Sequence, residues 1–71
     1  MKETITVGER IRDRRKAIGL SQEDVALRLE KEATYVNEVE NMGNEMTTTV
    51  ISVFAKALET TPAFLMGWEV Q

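Results

Sequence analysis

Apolar residues fall at helical spacing in four separate stretches of the chain, and start and stop signals mark several boundaries and a fifth element. Val7, Ile11 and Ile18 mark one stripe and predict a helix over about 7–17, with Gly19 placed as its C-terminal cap and Leu20 turned inward. Val25, Ala26 and Leu29 form a second stripe, with Arg28 on the other side, and predict a helix that ends near Leu29. Its start is fixed by Ser21, whose hydroxyl suits the free amides of a first turn made acidic by Glu23 and Asp24. Ala33, Val36 and Val39 give a third stripe. Val50, Ile51, Phe54, Ala55 and Leu58 give a fourth, the clearest core element, with Thr47 or Thr48 as its cap. Thr61 and Pro62 announce a short fifth helix over 63–66, in which Leu65 belongs to the core.

Only Glu30, Lys31 and Glu32 separate the second stripe from the third, so residues 21–41 read as two short helices packed across a sharp turn, a helix-turn-helix. The expected fold class is all-α, a compact five-helix domain. Met42 to Met46 reads as a loop in which Gly43 and Asn44 tolerate positive φ. Thr47, Thr48 and Thr49 could be taken for a phosphorylation or hydroxyl-catalysis cluster, but helix capping accounts for them. Residues 1 to about 6 and 69–71 are expected to fray.

Composition narrows the chemistry. A chain of 71 residues supports one small domain over 1–71 and no second core. It has neither cysteine nor histidine, so a disulfide, a thiolate metal site, the usual zinc ligand and the usual general base are all missing. No catalytic residue, cofactor or metal is expected. With no long apolar run and no secretion signal in its first ten residues, the chain is expected in the cytoplasm.

The stretches from Gly8 to Leu29 (GERIRDRRKAIGLSQEDVALRL), Val36 to Asn41 (VNEVEN) and Phe54 to Trp68 (FAKALETTPAFLMGW) resemble the phage-repressor and Cro type of helix-turn-helix regulators, also called the XRE-like family. The resemblance spans nearly the whole chain. It implies a lambda-repressor-like domain that binds a double-stranded DNA operator as a homodimer or as paired modules, with the third helix, about 32–40, in the major groove. It also implies that Arg15 is largely buried and paired with Glu40, and that Gln22 serves the phosphate backbone. The close at Gly67 and Trp68 resembles the end of the DNA-binding half of longer phage repressors, which leaves a further C-terminal part as an expectation.

From Arg10 to Lys16 there are five basic residues against Asp13, a local balance of plus four. A solvated charged face is the plain reading; beside a helix-turn-helix, Arg14 and Lys16 also suit phosphate contacts, which position a duplex without reading it. Gln22 stands just past the cap, where backbone amides and its own side-chain amide together suit one phosphate. Of the outward positions on the third helix, Thr34, Asn37 and Glu38 are candidate base readers, with Ala33 beside them: threonine for a thymine methyl, asparagine for adenine, glutamate for cytosine N4. Tyr35 has two uses, a phosphate contact through its hydroxyl or packing over the turn.

The turn departs from its relatives, which usually carry Gly, an aliphatic residue and Ser where this chain has Glu30, Lys31 and Glu32. A left-handed Glu30 in place of glycine costs on the order of 1 kcal/mol. Glu32 is expected to cap the third helix, less typically than serine, and the stem of Lys31 to cover the surface of the lost aliphatic residue. From Glu30 to Glu40 there are four glutamates and one lysine, an awkward surface to lay on phosphates. With a net charge of −3 and a pI near 4.9, a second function stays open: an acidic helix-turn-helix of antitoxin or anti-repressor type that binds protein rather than DNA. Finally, Phe64, Leu65, Met66 and Trp68 are too many large apolar groups for so short an element to bury entirely; with Leu65 in the core, those of Phe64, Met66, Trp68 and Val70 left exposed suit either partial self-packing or a dimer contact.

Overall fold

The chain's computed structural model describes residues 5–68, within which there are five helices and no strand. They are α1 (Val7–Ala17), α2 (Gln22–Leu29), α3 (Ala33–Glu40), α4 (Thr48–Ala57) and α5 (Pro62–Leu65). Four of the five begin on a hydroxyl side chain. Thr6 and Glu9 form a reciprocal capping box at α1, and Ser21 and Asp24 form another at α2. Thr47 accepts the Val50 N–H at α4, and Thr61 accepts the Phe64 N–H at α5. Thr6, expected to fray, is therefore anchored; the same expectation for residues 1–4 and 69–71 lies outside the described residues. Glu32 does occupy the position before α3, but its side chain makes no capping bond, contrary to expectation. Its longer stem places the carboxylate less readily over the first-turn amides than serine or aspartate would.

Every helix sends residues into one core, made of Ile11, Val25, Ala26, Val36, Val39, Ile51, Phe54, Ala55, Leu65 and, just past α4, Leu58. Val7, Ile18, Leu20, Leu29 and Val50 ring it, half-buried. Two close approaches set the framework. Gly8 lies so near the end of α3 that a Cβ there would come 2.5 Å from the Glu40 carbonyl oxygen, so α1 crosses α3 backbone to backbone. The loop after α3 then returns to the start of α1: the Gly43 carbonyl accepts from Gly8 N–H at 3.0 Å and Asn44 Oδ1 from Val7 N–H at 2.9 Å. Gly43 takes the expected positive φ; Asn44 does not, and its side chain satisfies a free amide of α1.

α2 ends on a left-handed Glu30 (φ 58°), and the Lys31 N–H closes the turn on the Ala26 carbonyl at 2.9 Å. Lys31 stays exposed, its ammonium 5.4 Å from the Tyr35 ring centroid. The end of α4 is held by two arginines from other helices. Arg14 donates to the carbonyls of Leu58 and Glu59 at 3.0 and 2.9 Å, and Arg28 to the Ala57 carbonyl at 2.8 Å and the Glu59 carboxylate at 2.9 Å. Cations at a helix C-terminus satisfy orphan carbonyls and oppose the negative end of the dipole.

Candidate nucleic-acid interface

The capping box at Ser21 aims the first turn of α2 toward solvent with its leading amides free of helical partners. The Asp24 carboxyl is held below the ordinary aspartate value, first by the Ser21 N–H it accepts and then by the Ser21 hydroxyl. Next to this turn runs α3. Gln22 joins the two helices: its Nε2 donates to Asn37 Oδ1 and to Glu40 Oε1, each at 3.1 Å. Asn41 Nδ2 donates to the Asn37 carbonyl at 2.8 Å and reaches its Oδ1 at 3.4 Å. Beneath this surface Arg15 and Glu40 form a buried, two-pronged ion pair, with Nε to Oε2 at 2.6 Å and Nη2 to Oε1 at 3.2 Å, while Arg15 Nη1 closes on the Leu20 carbonyl. Pairing with both oxygens is what lets two charges sit inside so small a domain.

Thr34, Asn37 and Glu38 are exposed on α3, and Ala33 is half-buried. Asn37 shares a surface with the start of α2, since Gln22 touches it directly. Tyr35 is half-buried with its ring 6.0 Å from that of Phe54 in the core and 5.4 Å from the Lys31 ammonium of the turn. Gln22 differs from expectation in one respect: both hydrogens of its side-chain amide go to protein acceptors, so the backbone amides are what it leaves for an anion.

Arg14 does not join this surface. Its guanidinium is engaged at the end of α4, 5.9 Å from the Phe64 ring centroid, because three orphan carbonyls gather there and a cation from α1 is within reach. Lys16 remains exposed in the last turn of α1. In the last segment Phe64 and Met66 are half-buried against the core, whereas Trp68 is 73% exposed. Val70 lies outside the described residues.

Reading the chain alone missed four positions: Gly8, Asn44, Arg28 and Asn41. A glycine inside a helix is a usable signal of close backbone approach; the roles of Asn44, Arg28 and Asn41 depend on which chain segment passes by, and have no local signature.

A sharply turned pair of helices with a capped first turn, an exposed second-helix face and a buried ion pair below it defines a DNA-binding transcriptional regulator of the helix-turn-helix class. The chain belongs to the helix-turn-helix family described as HTH_3, whose model matches residues 11–65. Among solved structures it is similar to the restriction-modification controller protein C.AhdI from Aeromonas hydrophila, with a TM-score of 0.73 and 35% identity over 84% of this chain and 87% of that one. It is also similar to the P22 c2 repressor, seen in complex with synthetic operator 9T, with a TM-score of 0.76 and 26% identity over 93% of this chain and all of that one. No curated protein matches. The family and both similar structures are regulatory. Among the described residues no helix is long and apolar enough to cross a membrane, and no group of His, Cys, Asp or Glu has the makings of a metal site.

Proposed function

We propose that the protein is a repressor-like regulator, without enzymatic activity, that binds a DNA operator as a homodimer with α3 in the major groove. The observation that carries this reading is the Gln22–Asn37 contact, which puts the free amides of α2 and the exposed residues of α3 on one surface. In this reading Thr34, Asn37 and Glu38 face base edges with Ala33 beside them, while Lys16 and the leading amides of α2 hold phosphates. Arg14, engaged at the end of α4, supports the fold instead, and Tyr35 supports the turn. Exposed Trp68, with Ile5 at 45% exposure and the half-buried Phe64 and Met66, supplies the two-fold contact that would set two α3 helices about one DNA turn apart.

Few cations serve this surface and Glu30, Glu32 and Glu38 border it, so affinity leans on base contacts. With about one to three phosphates neutralised per protomer, the slope of log affinity against log salt is about −1 to −3. Selection from random duplexes at low and physiological salt tests the proposal. One sequence should be enriched; Asn37→Ala should abolish the preference at one base pair, Lys16→Ala should weaken all duplexes alike, and Arg14→Ala should lower thermal stability without changing the preferred site. Enrichment of no sequence even at low salt, together with capture of a protein through α3, would replace this reading with the acidic interaction module.

A further inference from the structure

The hydrogen bonds around Glu40 determine which way the Asn37 carboxamide faces. Glu40 is held by Arg15 through both oxygens, and as a carboxylate it can only accept. The Gln22 group bonded to Glu40 Oε1 must therefore be its NH2, which fixes the rotation of that side chain. The second hydrogen of the same NH2 points to Asn37, so the Asn37 atom facing Gln22 must be its oxygen. Asn41 Nδ2 approaches that oxygen from the other side. Among the described residues, nothing accepts from Asn37 Nδ2. A buried charge thus sets, through two amides in series, the polarity of an exposed side chain at the centre of α3.

We infer that Gln22 is a specificity-determining positioning residue: through Glu40 it locks Asn37 with its amide hydrogens outward, so that Asn37 reads a hydrogen-bond acceptor on a DNA base and is barred from the two-bond contact with adenine. That contact requires asparagine to present its oxygen to adenine N6 and its NH2 to N7 together. Here the oxygen is occupied within the protein. Guanine, with acceptors at O6 and N7, or thymine, with O4, fits a donor-only group. The inference rests on the proposed major-groove placement of α3, and it gives Gln22 a role different from that of a phosphate ligand.

The test compares site selection by the wild-type protein and by Gln22→Met, which keeps the backbone amide and a similar stem but removes the NH2. The base pair read by Asn37 is the one whose preference Asn37→Ala erases. The wild type should prefer guanine or thymine there, and Gln22→Met, which leaves only the long 3.4 Å Asn41 contact to hold the carboxamide, should gain about tenfold for adenine relative to the wild type, within the range of one two-bond base contact. A wild-type site unchanged in Gln22→Met, or one already carrying adenine at that position, overturns the inference alone. A wild-type protein that enriches no duplex overturns the regulator reading and this inference with it. Should Gln22→Met fail to fold, side-chain amide exchange measured by NMR on the wild-type protein is decisive. Both Gln22 amide protons should be protected and both Asn37 amide protons should exchange freely; the reverse pattern overturns the lock.

Discussion

α2 and α3 are adjacent, eight residues each, and both amphipathic, yet they are held in opposite ways. α2 shares the core through Val25 and Ala26 and is tied to the end of α4 by Arg28, but it also carries its own instructions: a full capping box, acidic residues in the first turn and a closed left-handed turn at its end. α3 has no side-chain cap, no acidic residue in its first turn and no basic residue in its last. It is positioned from outside, by Val36 and Val39 in the core, by Arg15 on Glu40, by Gln22 on Asn37 and by the bare backbone of Gly8 against its final carbonyl. Local signals add to the hold on α2, whereas α3, the helix proposed to read DNA, depends on tertiary contacts. A surface helix free of capping requirements can vary its outward residues without losing its place, which suits an element whose sequence must match a DNA site.

The sharpest way to break the comparison is to remove the external hold on α3. Glu40→Ala leaves the Arg15 guanidinium buried without its partner and should cost about 3–5 kcal/mol, read as lost thermal or urea stability. Replacing both partners by methionine should recover most of that loss, since an apolar pair of similar volume removes the stranded charge. Gly8→Ala comes next. Its Cβ meets backbone rather than a flexible side chain, so α1 and α3 must separate, at about 1–3 kcal/mol, and α3 amides should lose exchange protection before those of α2.

Changes to local signals should matter less and should separate the two helices. Ser21→Ala should destabilise by about 1 kcal/mol, because α2 depends on its cap. Glu32→Ser should stabilise by about 0.5–1 kcal/mol, because α3 has an empty capping position to fill. The smallest effect is one of pH. The folded-state pKa of Asp24 is depressed, so its carboxylate supports α2 above the ordinary aspartate pKa, and that support is lost as pH falls through the depressed value. Urea denaturation should show wild type more stable than Asp24→Asn at pH 6, with the gap closing toward pH 2.

Most of the architecture was legible in the order of residues. Helical spacing of apolar positions located four helices and the Thr61–Pro62 signal the fifth, and hydroxyl residues ahead of α2, α4 and α5 marked their starts, because caps and amphipathic stripes act within a few residues of the chain. The shortness of the connection gave a sharp turn, and the left-handed Glu30 came from resemblance, because relatives usually carry glycine there. The pairing of Arg15 with Glu40 came from resemblance alone; neither residue carries a local mark of burial. Tertiary structure decided the rest. It sent Arg14 to the carbonyls at the end of α4 rather than toward the α2–α3 surface, turned the side chain of Gln22 onto α3, and put Asn44 at the start of α1. Each is a polar side chain whose partner lies at least 15 positions away along the chain. A sequence pattern records which groups need a hydrogen bond, but the packing of the helices determines which partner comes within 3 Å.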